Sequence, residues 1–180
     1  HQEAVMLTQV EHLAAKADGK QRELVENQRG ITYFGLFGTY LAGAKKIVVE
    51  DAYVRKPYQL RNLAEFLEML LRCKNPDEDV AVHLVTGHNE PGFVEAQLNG
   101  LNELASTFAQ LGVNLTYEFR DTLHDRSITA DTGWEILPGR GLDIFQKFVD
   151  GDWLNPLLRH QQLRRVKECK VTYRRIDEKQ

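Results

Sequence analysis

Residues 45–51 read KKIVVED. Ile47, Val48 and Val49 form a short β-branched run closed by two acids, the pattern of a buried strand that ends at a polar edge. A helix comes next in the chain. Pro57 stands at a first-turn position, and after it Leu60, Leu63, Leu67, Leu70 and Leu71 form a helical stripe facing away from Arg61, Glu65, Glu68 and Arg72. The turn CKNPDED leads to a second strand, VAVHLV (80–85). A third amphipathic helix carries Val94, Leu98, Leu101, Ala105, Phe108 and Leu111, with Gly112 at its C-terminus. NLTYEF (114–119) then alternates as a third strand. Strand, helix, strand, helix, strand predicts an α/β fold with parallel strands and crossover helices.

Working backwards, ITYFGLFGTYLAGA (31–44) places Tyr33, Leu36, Phe37, Tyr40 and Leu41 on one face behind an N-cap at Thr32, with Gly43 marking the stop. Further back, Val5, Met6, Leu7, Val10, Leu13 and Ala14 recur at helical spacing, and KADGKQRELVENQRG (16–30) reads as a linker. Beyond Leu123, SIT and WEIL around ADTG predict a hairpin that extends the sheet. ECKVTYRR (168–175) predicts a final strand with one wet face.

The chain has 180 residues, 42% of them hydrophobic, which is enough for one ordinary core. A net charge of -3 excludes a wholly basic nucleic-acid coat. Cys73 and Cys169 stand far apart with no second thiol near either, a pattern that suggests neither a zinc knuckle nor a disulfide framework and fits a reducing cytoplasmic compartment. No apolar run reaches the roughly 18 residues that a membrane span needs.

The stretch Leu123–Phe145, LHDRSITADTGWEILPGRGLDIF, carries the chemistry. His124, Arg126 and Asp131 have H-x-R-x4-D spacing. On an extended strand, residues two apart point the same way, so a histidine and a cation face one phosphate together. The cation neutralises non-bridging oxygens, the imidazole attacks phosphorus or protonates the leaving oxygen, and a carboxylate fixes the tautomer. Arginine replaces the usual lysine, keeping the charge and adding a planar fork. The competing reading makes His124 the partner of a nearby turn and leaves Arg126 and Asp131 as an ordinary surface pair.

The stretches EDAYVR (50–55), HDRSI (124–128) and GRGLDIF (139–145), with ITYFGLFGTYLAGAKKIVVEDAYVRKPYQLRNLAEFLEMLL (31–71), resemble the phospholipase D-like domain that follows the MIT (microtubule-interacting and trafficking) module. The resemblance runs from about Ile31 to the end. It implies a mixed sheet flanked by helices over residues 31–180, with 1–30 as leading helix and linker or as the tail of a preceding domain. It also implies binding of phosphoinositide-containing membrane and ESCRT partners without lipid hydrolysis. Similar prokaryotic domains are joined to ATPase or Lon-like modules, so the chain is expected to be part of a longer polypeptide. Phospholipase D enzymes use two histidine motifs, and only one stands here. A two-histidine centre therefore needs a homodimer with both His124 side chains at a two-fold seam. The enzymes also carry Gly-Ser after the motif, where this chain has Gly139-Arg140-Gly141.

The preferred expectation is a phosphate-recognising accessory or targeting domain, homodimeric, cytoplasmic and peripheral to a membrane, needing no cofactor or metal. Its ligand is a phospholipid headgroup or a nucleic-acid backbone. The rival is a metal-independent phosphodiesterase or nuclease using His124, Arg126 and Asp131. Glu50, Asp51, Tyr53 and Arg55 stand where a parallel strand ends, the side on which α/β sheets bind ligands, and Tyr53 and Arg55 are taken as ligand-binding; the competing reading makes the four a loop cap with Tyr53 packed inward. Arg140 is included because its flanking glycines permit close backbone approach. Arg164 and Arg165 lead a basic tail, Arg159 to Arg175, that holds seven cations against Glu168 alone. His83 is expected to be a hydrogen-bonded core residue, His88 a loop residue, Glu65 and Glu68 wet-face residues, and Trp134 and Trp153 packing residues.

Overall fold

The computed structural model describes residues 21–147 and 154–176. The helix expected over 4–15 and Trp153 lie outside these residues. The strands are β1 (Gln21–Leu24), β2 (Lys46–Glu50), β3 (Val80–Thr86), β4 (Val113–Phe119), β5 (Ser127–Ala130), β6 (Trp134–Pro138) and β7 (Cys169–Arg175). The helices are α1 (Tyr33–Leu41), α2 (Pro57–Cys73) and α3 (Val94–Ala109). One seven-stranded sheet runs β1-β7-β6-β5-β2-β3-β4. β2, β3 and β4 are parallel, and the β5–β6 hairpin extends the sheet antiparallel from β2. The α/β class with a mixed sheet is as expected.

The register explains which side chains enter the core. Tyr173, Ile136, Ile128, Val49, Leu84 and Tyr117 stand opposite one another across six strands. α1 packs on α2 and α2 on α3, and together with this row they enclose the main cluster. The next row, Arg174, Glu135, Thr129, Val48, His83 and Thr116, points to the opposite face. His83 is therefore not a core histidine. Its ring is half-exposed and bonds Thr116 Oγ1 (2.7 Å) and Glu118 Oε1 (2.8 Å) on β4. Strand alternation outranks the apolar run that surrounds it.

Local chemistry sets the ends of the helices. Thr32 Oγ1 accepts the Gly35 N–H at 2.9 Å, and Gly43 sits at φ +74° beyond the last turn of α1. Gln59 Oε1 accepts the N–H groups of Arg55 and Lys56, both at 3.0 Å, which locks the turn between β2 and α2.

Residues 21–24, read as linker, instead pair with β7, Gln21 opposite Thr172 and Leu24 opposite Cys169. QREL has a single apolar side chain, so it offers no alternation to read. Leu24 is buried, and β7 supplies an open edge to pair with. Glu65 also departs from expectation, because it turns inward to meet Arg164.

Candidate functional site at the carboxyl edge of the sheet

Topology brings four connections to one edge. β2, β3 and β4 leave the sheet there. β5 is antiparallel to β2 and starts there, and β6 is antiparallel to β5 and ends there. Residues 51–55, 124–127 and 139–142, distant in sequence, therefore meet.

At their centre Asp51, 2% exposed, accepts the Tyr53 N–H at Oδ1 (2.9 Å) and the Leu142 N–H at Oδ2 (3.2 Å). Arg126 Nε lies 3.9 Å from Oδ1. Burial pushes the Asp51 carboxyl up, while the two N–H groups and the guanidinium pull it back. Gly141, at φ +62°, is required here, since a Cβ would collide with Asp51 Oδ2.

Outside Asp51 stands Tyr53, 47% exposed. The guanidinium carbons of Arg55 and Arg126 lie 4.6 and 4.8 Å from its ring centroid. Arg55 is also tied down by its Nε bond to Ala52 O (2.7 Å). Two cations over one aromatic at the ends of parallel strands make an arrangement suited to an oxyanion. The gap beneath it, bounded by Val49, Asp51, Ser127, Ile128, Pro138 and Leu142, is too narrow for a water molecule. That gap does not admit a ligand. A groove of about 390 Å³ between α2 and α3, floored by Leu60, Ala64, Gly100 and Leu104, contains none of the motif residues.

His124 is exposed, just before β5, and forms no side-chain hydrogen bond among the described residues. Asp131 stands past the other end of β5, so it does not join His124. At about 3.3 Å per residue the strand separates it from Arg126 by roughly 17 Å. Its Oδ1 accepts the Lys45 N–H (3.0 Å) at the amino edge instead. The spacing that suggested a triad is a strand length.

Arg140 is half-buried, and its Nε is enclosed without a partner among the described residues. Arg164 is not a surface ligand-binding residue. It is 3% exposed, bidentate to Glu65 (2.8 and 2.7 Å), and donates to the carbonyls of Leu157 and Leu158. Arg165 is exposed, and no contact links it to Tyr53 or Arg126. The tail is less basic in space than in sequence. Of its seven cations, Arg164, Lys167, Lys170 and Arg174 are paired with Glu65, Asp143, Glu23 and Glu135. Trp134 packs edge-on against Tyr40, as expected of a packing residue.

The sequence places Asp51 at this edge, as part of a site or of a loop cap, but does not reveal the Leu142 and Arg126 partners that make it an organiser. Sequence reasoning missed the pair at the end of β4, where His88 stacks on Phe119 and bonds Asp121 through its N–H (2.8 Å) and Nδ1 (2.9 Å). These bonds, the backbone one first, hold the Asp121 carboxyl below the usual aspartate range, with a small contribution from Arg55. A carboxylate held low contributes stability above its unfolded pKa and loses it as pH falls through the folded value. Carboxyl-carbon NMR should show Asp121 titrating below free aspartate, with the His88 amide shifting in step. Titration at the ordinary value would contradict the pairing.

Among the described residues no helix is long and apolar enough to cross a membrane. The family model described as "Phospholipase D-like domain at C-terminus of MIT" matches residues 30–175. MIT domain-containing protein 1 of Mus musculus is 38% identical over 136 residues, covering 73% of this chain and 54% of that protein. The chain thus spans about half the length of that relative. With the match spanning α1 through β7 and every connection at the carboxyl edge, the chain belongs to the family of phospholipase D-like domains found at the C-terminus of MIT.

Proposed function

We propose that this domain is a phosphate-recognising accessory or targeting module of a longer protein, held at a membrane surface from the cytoplasmic side, and that it does not hydrolyse its ligand. The observation that carries this reading is the pair of guanidinium groups, Arg55 and Arg126, flanking the exposed Tyr53 ring. Hydrolysis asks for more than charge. It needs an oriented imidazole and a site that excludes water. His124 has no orienting carboxylate among the described residues, because Asp131 is committed to the far end of β5.

A dimeric phosphodiesterase is the second reading, favoured by the exposure of His124. Two copies meeting at that residue would supply nucleophile and general acid together.

The test compares three responses of the same preparation. Phosphoinositide-containing vesicles and a single-stranded oligonucleotide are each assayed for salt-sensitive binding, and a fluorogenic phosphodiester is assayed for turnover in the presence of chelator. Vesicle binding without turnover is expected. Preference for the oligonucleotide moves the phosphate source to nucleic acid. Chelator-resistant turnover lost in His124→Ala overturns the accessory role in favour of the dimeric enzyme.

A further inference from the structure

We propose that Asp51 is the positioning residue of the carboxyl-edge anion site, one buried carboxylate that holds the Tyr53 turn, the Arg140 turn and Arg126 together. The inference rests on the proposed function, that this edge takes a phosphate. A carboxylate in an anion site is at first sight misplaced, because Coulomb repulsion opposes any phosphate bound beside it. Its position explains it. Oδ1 faces the Tyr53 N–H and Arg126, Oδ2 faces the Leu142 N–H, and the residue is 2% exposed. These three partners come from the end of β2, the start of β5 and the turn after β6, and Asp51 accepts hydrogen bonds from two of them and forms an ion pair with the third.

Without it, the buried Leu142 N–H and the part-buried Tyr53 N–H lose their acceptor, and the turns carrying Tyr53 and Arg140 lose their common anchor. Arg126 is approached by Asp51 from its Nε side. The fork of terminal nitrogens, which no hydrogen bond engages among the described residues, is left to face a ligand. Gly141 completes the clasp, because only a residue without a Cβ lets the chain pass so close to Oδ2. Asp51 acts through these neighbours and touches no ligand itself.

The experiment measures the affinity of the protein for monomeric dioctanoyl phosphatidylglycerol, a soluble phosphodiester, by amide and arginine Nε–H NMR. Asp51→Asn removes the carboxylate's negative charge from the site, so a purely electrostatic role predicts tighter binding. The positioning role predicts binding weaker by about tenfold, with the Tyr53, Leu142 and Arg126 Nε–H signals displaced and those of β3 and β4 unmoved. Gly141→Ala changes no charge and should weaken binding similarly. It decides the matter alone if the asparagine variant fails to fold. Unchanged or tighter binding in the variants, with the unsubstituted protein binding normally, overturns the role of Asp51 and leaves the phosphate reading intact. No saturable binding by the unsubstituted protein overturns both.

Discussion

Replacing Arg164 by methionine should lower the unfolding free energy by about 3–5 kcal/mol, the cost of leaving a buried charge without its partner. Glu65 loses both of its bidentate bonds, and the carbonyls of Leu157 and Leu158 lose their donor. The guanidinium also lies 5.2 Å from the Phe145 centroid, so the change removes packing from the same place. Arg164 joins the segment before β7 to α2, which makes the loss structural rather than ligand-related. Urea unfolding reads it directly. The double variant Arg164→Met with Glu65→Leu should recover most of the stability, because it removes both charges and puts hydrocarbon in their place. A loss below about 1 kcal/mol in the single variant would match an exposed ion pair and contradict the buried arrangement.

Converting Arg55 and Arg126 together to alanine should weaken phosphate binding by about a hundredfold, on the scale of two charge-assisted contacts. Each single change should cost less, and the pair is expected to couple through the Tyr53 ring they share. The fold should survive, since both groups sit at the surface end of the sheet rather than in the α1–α2–α3 cluster. Vesicle sedimentation at low and moderate salt, alongside thermal unfolding, measures both effects. A double variant that binds as tightly as the unsubstituted protein would place the phosphate elsewhere.

The parallel half of the fold was legible because its residues carry their own signals. KKIVVED and VAVHLV carry apolar runs, NLTYEF alternates, and Pro57 and Thr32 mark helix starts. Where reading failed, the deciding partner was far away in sequence. β1 is a strand because β7 offers an edge 145 or more residues later. Arg164 looked like a surface cation because Glu65, which buries it, is 99 residues away. Asp131 looked like a third member of a triad because a motif does not state its geometry. The four residues between it and Arg126 are β5 itself, which carries the carboxylate to the opposite edge of the sheet. The Gly-Arg-Gly turn stands out in the sequence for its arginine, whereas its second glycine answers to Asp51, 90 positions earlier. At the candidate site Tyr53, Arg55 and Arg126 are legible from sequence and are neighbours in the structure. The carboxylate behind them could be assigned only once the three connections were seen to meet.

The most direct measurement is a map of where a phosphate lands on the unsubstituted protein, made by titrating isotope-labelled protein with the soluble phosphodiester and following every amide and arginine side chain. Saturable shifts should gather on Tyr53, Arg55, Arg126 and the adjoining His124. Shifts confined to the 159–175 segment, or to the groove around Leu60 and Gly100, would contradict that placement.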